Sequence, residues 1–184
     1  YGCNLRCVHC YNPTHQARNE VSTEKILSIM DELEKAGTRF LDFTGGEIFT
    51  RKDWRQVLEY AKKKSFFLHL ITNATLITPD IADLLERLEL VWVKVSLYGA
   101  TKETYEKVTR VPGSFELFLR GVELLRSRRI PVMMQSILLT LNAHEIEAMK
   151  AFTERFGLKF AYTDEIHPRV DRSFEPLRYR LDPA

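Results

Sequence analysis

The residues best suited to chemistry stand together at the start of the chain, in the stretch YGCNLRCVHCYN. It contains all three cysteines of the 184-residue sequence, Cys3, Cys7 and Cys10, at spacings of four and three positions. An odd number of thiols cannot be fully paired in disulfides. Spacings this short suit three ligands on one tight turn around a small object, and we expect that object to be inorganic.

Polar residues also follow three predicted strands. Gly45, Gly46 and Glu47 come directly after RFLDFT, Asn73 follows FFLHLIT, and Ser96 lies near the end of LVWVKVSL. The glycines let the backbone approach a ligand closely, and the Glu47 carboxylate could accept hydrogen bonds from an ammonium group. Taken alone, two glycines after a strand indicate only a tight turn.

The elements that must position these residues alternate between helix and strand. VSTEKILSIMDELEKAG has apolar residues at helical spacing and Ser22 as its predicted N-cap. A later helix is predicted to open at Asn142, with Glu145 completing a capping box. Helical segments separate five predicted strands, which are RFLDFT, FFLHLIT, LVWVKVSL, PVMMQSILL and KFAYT.

This alternation predicts a parallel sheet covered by helices, either a barrel or an open doubly wound sheet. Both architectures bind ligands at the carboxyl ends of the strands, so the polar residues should share one rim. Gln135 lies within a strand that should be buried on both faces. A buried amide needs a hydrogen-bonding partner, and contact with a ligand is one way to supply it.

Composition excludes several classes of protein. A hydrophobic fraction of 45% fits one globular domain, and a net charge of +2 is too small to indicate nucleic-acid or membrane binding. No apolar run reaches the roughly 18 residues of a membrane span, and no secretory signal is visible. We therefore expect a cytoplasmic protein. Because the chain begins inside its cysteine stretch, we also expect it to be a fragment.

CNLRCVHC resembles the CxxxCxxC loop of radical S-adenosylmethionine (SAM) enzymes, and GGE at Gly45–Glu47 resembles their second motif. The resemblance spans essentially the whole chain. It implies an α/β fold, a partial (β/α)6 TIM-like barrel of parallel strands whose first strand is missing from this fragment. Two departures are visible: His9 stands where an aromatic residue is usual, and Ile48 stands where proline often follows GGE.

The resemblance also implies the chemistry of the three thiols. Cys3, Cys7 and Cys10 would bind three irons of a [4Fe-4S] cluster, which leaves the fourth iron without a protein ligand. In the family, the methionine amino and carboxylate groups of SAM fill that open position. One electron from the cluster then cleaves SAM, and the resulting 5′-deoxyadenosyl radical abstracts a hydrogen atom from the substrate.

Cofactor binding extends, by the same resemblance, to residues at the predicted rim. Gly45, Gly46 and Glu47 would hold the methionine moiety of SAM, and Ser96 would contact its ribose or carboxylate. Arg110 would clamp a carboxylate, and Gln135 would contact a ligand. A purely structural role is the open alternative for four of these residues, which are Asn73, Ser96, Arg110 and Gln135. No residue is assigned a catalytic role.

Two other interpretations of the cysteines stay open. A structural zinc site could use the three thiols with His9 or His15 as the fourth ligand, although zinc gives no role to GGE. A barrel that keeps its cluster could also be a non-catalytic scaffold. Release of 5′-deoxyadenosine distinguishes an enzyme from a scaffold.

The substrate is predicted from the end of the chain alone. Residues 1–163 would form the radical SAM core, and 164–184 a linker or wrap-around segment toward an absent C-terminal domain. The segment EIHPRVDRSFEP resembles the connection to the cysteine-rich SPASM domain of peptide-modifying members. This implies a peptide or protein substrate, with a small molecule in cofactor biosynthesis as the alternative, and an electron donor such as a flavodoxin or ferredoxin.

Overall fold

The computed structural model describes residues 2–12 and 20–182, so His15 lies outside the described residues. Its centre is a five-stranded sheet formed by β1 (Phe40–Phe43), β2 (Phe67–Thr72), β3 (Trp92–Ser96), β4 (Val132–Ile137) and β5 (Lys159–Thr163). Six α-helices accompany it: α1 (Thr23–Lys35), α2 (Trp54–Lys63), α3 (Pro79–Arg87), α4 (Lys102–Thr109), α5 (Ser114–Ser127) and α6 (Ile146–Arg155). All five predicted strands are present.

Strand order decides between the two predicted architectures. The order in space is β1-β2-β3-β4-β5, the same as along the chain, and every neighbouring pair is parallel. A doubly wound sheet reverses its order at a switch point, whereas a sheet that advances in one direction curls toward a barrel. The described sheet is therefore of the barrel type.

Capping side chains start α1, α3 and α4, whereas the cap predicted for a later helix is wrong. Ser22 accepts a hydrogen bond from the Lys25 amide, as the sequence predicts. The capping box at Asn142 and Glu145 does not form. Asn142 Oδ1 instead accepts from the Leu139 amide, and Glu145 accepts from the amides of residues 100 and 101. The loop after β3 offers Glu145 two unpaired donors, and these take the place of the local cap.

The two faces of the sheet have different surroundings. Alternate residues of β2, β3 and β4, such as Leu70, Val95 and Met134, are buried in a core shared with the helices. The residues between them are only half-buried and form what we call the concave face, which includes Lys94, Ser96 and Gln135. Gln135 therefore lies in a strand covered by helices on one face, not on both as the sequence suggested.

Trp92 also lies on the concave face, where it is half-buried. Its ring stacks on His69 with the centroids 4.3 Å apart.

No helix among the described residues is long and apolar enough to cross a membrane.

Candidate cofactor site at the carboxyl ends of the strands

A cavity of about 240 Å³ opens where the strands end, as the parallel topology requires. It brings together residues from the cysteine loop (Cys3, Cys7, Cys10), from the loop after β1 (Gly45, Gly46), and from the concave face and its rim (Asn73, Lys94, Ser96, Tyr98, Gln135). Most of the residues that the sequence predicted for the site therefore line this one cavity. They are the three cysteines, both glycines, Asn73, Ser96 and Gln135.

Backbone hydrogen bonds hold the cysteine loop in place. The Arg6 and Val8 amides donate to the carbonyls of residues 109 and 108, each at 3.0 Å, at the end of α4. The Cys10 amide donates to the Cys7 carbonyl at 3.1 Å and so closes a turn between two of the thiols. The loop is thus anchored between its cysteines, at positions that carry no predicted ligand.

A side-chain network joins the same loop to the end of β2. Asn73 Nδ2 donates to Asn4 Oδ1 at 3.0 Å, and Asn4 Nδ2 donates to Thr75 Oγ1 at 2.7 Å. Asn73 Oδ1 accepts from the Thr75 amide and hydroxyl. Asn73 therefore borders the cavity, while its amide is already hydrogen-bonded within the protein.

Glu47 is buried beneath the glycine loop. Its carboxylate accepts hydrogen bonds from the Thr72 hydroxyl at 2.9 Å, the Asn73 amide at 2.8 Å and the Phe49 amide at 3.4 Å. Burial raises the pKa of Glu47 to about 7, although these hydrogen bonds act in the opposite direction. The carboxylate ties the glycine loop to β2, and it borders a second cavity of about 410 Å³ rather than the one that holds the cysteines.

The three thiols favour a cationic ligand. Burial raises the pKa of Cys3 to about 11, and it raises the pKa of Cys7 still higher, with repulsion from the other two sulfurs adding to the effect. Three crowded thiolates are therefore stable only beside compensating positive charge, which bound iron would supply. This donor set fits an iron-sulfur cluster.

A single metal ion fits less well. No three Cys, His, Asp or Glu side chains in the described part of the chain are placed to hold one ion together. His9 is buried against Tyr98, with ring centroids 4.9 Å apart. Burial also lowers the pKa of His9 to about 4, so its imidazole is neutral at pH 7.

Sequence reasoning missed Tyr98 and Lys94, which both line the cavity. Burial raises the pKa of the Tyr98 hydroxyl well above its ordinary value, and repulsion from the Cys7 sulfur adds to the effect. Lys94 precedes Ser96 by two positions in β3 and hence shares its face. That period of two was the signal available in the sequence for Lys94.

Like Glu47, Arg110 is a predicted site residue that does not line the cavity with the cysteines. It ends α4 in a left-handed conformation with φ of 57°, and its side chain is exposed. Its guanidinium donates to the Tyr179 hydroxyl at 3.1 Å. The clamp assigned to Arg110 stays a prediction.

Residues 164–182 pack across the cysteine loop. Ile166 is buried in a small cluster with Val8 and Leu139, and the Val170 amide donates to the Tyr11 carbonyl at 2.9 Å. Glu165, Ile166 and His167 line one side of the cavity. These contacts join the segment to the cysteine loop, while its role as a linker and the domain beyond it stay predictions.

Sequence comparison agrees with this geometry. The model of the radical SAM superfamily matches residues 1–153. The chain belongs to the radical SAM superfamily. Members use a [4Fe-4S] cluster and SAM, which excludes the zinc interpretation of the cysteines.

Similar radical SAM proteins differ in their named products. The chain is 33% identical to the AdoMet-dependent heme synthase of Methanosarcina barkeri, over 85% of this chain and 45% of that protein. It is 30% identical to the mycofactocin maturase MftC of Mycolicibacterium smegmatis, over 94% of this chain and 47% of that protein. The chain thus spans about half the length of these relatives.

A solved structure shares the fold. Streptococcus suis SuiB bound to S-adenosylmethionine superposes with a TM-score of 0.77 at 15% identity, over 91% of this chain and 41% of that one. At this identity the match supports the barrel architecture alone.

Proposed function

We propose that this chain is the radical-generating core of an enzyme that reductively cleaves SAM to abstract hydrogen from a substrate. The observation that carries the proposal is that Cys3, Cys7 and Cys10 line one cavity together with Gly45 and Gly46. Three thiolates without a fourth cysteine leave one iron of a [4Fe-4S] cluster open to SAM. A scaffold that only stored a cluster would not need a cavity beside it.

The chain's own residues would bind the two cofactors and orient them. The three thiolates hold three irons, and the backbone at Gly45 and Gly46 leaves room for the methionine moiety. Ser96 and Gln135 offer a hydroxyl and an amide on the concave face, opposite each other in the β3–β4 register. When bound, the cluster and SAM together supply a 5′-deoxyadenosyl radical. The barrel wall and residues 165–167 then shield the reacting atoms from water.

The proposed substrate is a peptide or protein. Its support is the similarity to the mycofactocin maturase MftC. The similarity to a heme synthase favours a small cofactor precursor as the second candidate. Either reaction needs an external electron donor, for which a flavodoxin or ferredoxin is the proposed class.

Iron and product analysis test the proposal. We expect anaerobically reconstituted full-length protein to bind about four irons per chain and to release 5′-deoxyadenosine and methionine from SAM after reduction. Replacing Cys3, Cys7 or Cys10 with Ala should abolish the intact cluster, whereas Ser65→Ala, on the outer surface, should leave it unchanged. Full clusters in two of the three cysteine variants contradict the ligand assignment.

A second result separates enzyme from scaffold. Full-length protein that carries its cluster and binds SAM, yet releases no 5′-deoxyadenosine with a strong reductant, would establish the scaffold interpretation. Chromatography of the reaction under strict anoxia measures this directly.

A further inference from the structure

Lys94 places an ammonium group in the wall of the cavity. It is half-buried in β3, in register with Ile71 of β2 and Met133 of β4. Its Nζ lies 4.8 Å from the centroid of the Trp92 ring. Its neighbours Ile71, Met133 and Trp92 on this face are apolar or aromatic, whereas Ser96 is polar.

This ammonium has no carboxylate partner among residues 2–12 and 20–182. The lysine ion pairs of this part of the chain use Lys62, Lys64, Lys102 and Lys150. Asp42, an acidic residue on the concave face, lies 3.1 Å from His69 Nδ1 instead. Glu165 borders the same cavity, but within the described part of the chain it forms no ion pair with Lys94.

An unpaired cation on an interior wall is unfavourable unless an anion meets it. The Trp92 ring offsets part of that cost, because a cation is attracted to the face of an aromatic ring. A bound anion can offset the rest of this cost, because Lys94 borders an open cavity. Lys159 lies two strands away in the same register row and adds to the positive potential.

The position of Lys94 separates this anion from SAM. Ser96 and Gln135 form the register row nearest the cysteine loop, and Lys94 lies one row deeper, toward the amino ends of the strands. In the proposed function the cofactor would occupy the cysteine end of the cavity, so a ligand beside Lys94 would lie deeper than the cofactor. The substrate would then occupy that deeper position.

We propose that the substrate carries a carboxylate and that Lys94 binds it on the concave face of the barrel. The proposal rests on the proposed function, whose substrate class it narrows. A peptide C-terminus and an acidic small molecule both present this group, and the two sources are separated by the probes. Lys94 is thereby a specificity-determining residue that does not contact the cluster.

Paired probes test the proposal without any turnover. Full-length holoprotein loaded with SAM is immobilised under anoxia without reductant. It is offered random heptapeptides free of Asp and Glu, as C-terminal acids or as amides, and coproporphyrin III as tetra-acid or tetramethyl ester. Retention is measured by mass spectrometry for wild type, Lys94→Met, Lys94→Arg and the outer-surface control Lys63→Met.

We expect wild type to retain the acid form of one probe pair about tenfold more strongly than its neutral form, because a charged hydrogen bond distinguishes them. Lys94→Met should abolish this preference, whereas Lys94→Arg and Lys63→Met should keep it. Which pair shows the preference identifies the source of the carboxylate.

Three results would overturn the proposal. They are a wild type that prefers neither acid form, a Lys94→Met variant that still prefers the acid, and a Lys94→Met variant whose SAM affinity falls tenfold. The last result would assign Lys94 to the cofactor. Because binding is measured before reduction, a protein that fails to cleave SAM would contradict the proposed function while leaving this measurement intact.

Discussion

Replacing Glu47 with Gln tests how the glycine loop is held. The Glu47 side chain is 2% exposed and accepts hydrogen bonds from Thr72, Asn73 and Phe49. Burial raises its pKa to about 7, against an ordinary value of 4.5. Glutamine has nearly the same shape, but it stays neutral at every pH, so the substitution isolates the effect of ionisation.

The sign of the pH dependence follows from the direction of the shift. Because the folded chain binds the Glu47 proton more tightly than the unfolded chain, protonated Glu47 stabilises the fold fully below pH 4.5. That stabilisation is lost as the pH rises from 4.5 to about 7. At about 1.4 kcal/mol per pKa unit, the total is about 3 kcal/mol, of which about 2.5 kcal/mol falls between pH 5 and pH 8.

The assay is urea unfolding of metal-free, fully reduced protein at several pH values from 5 to 8. The free energy of unfolding of wild type relative to Glu47→Gln should fall by about 2.5 kcal/mol over that range, since other groups contribute equally to both proteins. Glu59→Gln on α2 is the matched control. Glu59 is exposed, so this variant reports the effect of a Glu-to-Gln change away from the glycine loop.

A constant difference between wild type and Glu47→Gln, within about 0.5 kcal/mol, would refute the reasoning, because a carboxylate with an ordinary pKa gives no slope in this range. SAM affinity measured at pH 8 adds a second reading. Unchanged affinity supports the role of Glu47 as a tie within the loop. A large loss would place its carboxylate on the ammonium group of SAM, as the sequence suggested.

Three further substitutions probe separate contacts. Gly46→Val should leave the iron content intact while weakening SAM binding at least about tenfold in calorimetry, because a side chain fills space beside the cofactor. Gly121→Ala should lower the free energy of unfolding by about 1–3 kcal/mol in urea, since its Cβ would lie 2.0 Å from the Ala74 carbonyl oxygen. Arg169→Met should lower the midpoint potential of the cluster in redox titration. Burial raises the pKa of Cys10, and the Arg169 charge opposes that rise and so favours negative charge there.

Much of the fold could be predicted because its signals are local. The helical spacing of apolar residues after the N-cap Ser22 is read within fewer than about 20 residues. The same holds for each apolar strand between two helices. The rim followed from a topological rule that holds for both barrels and open sheets. Strand order, which separates those two, depends on pairing between distant segments and carries no local signal.

The support of the cysteine loop could not be predicted for the same reason. Asn4 meets Asn73 and Thr75 across 69 and 71 residues of sequence, and short polar side chains between cysteines indicate a turn equally well. The error at Glu145 has a related origin. A pattern typical of a local cap also occurs where a carboxylate has better partners far away in the chain.

The charge of the cavity wall changes along the length of the cavity. This change determines which ligand charge is favoured at each end. At the cysteine end, buried thiols repel one another, so that end is stabilised by positive charge from irons. At the deeper end, the Lys94 ammonium lies over Trp92 without a described counterion, so that end is stabilised by an anion. A cationic sulfonium is therefore favoured near the thiolates, and a carboxylate is favoured beyond it. In the proposed function the cofactor would then occupy the cysteine end of the cavity, and the substrate carboxylate would occupy the Lys94 end.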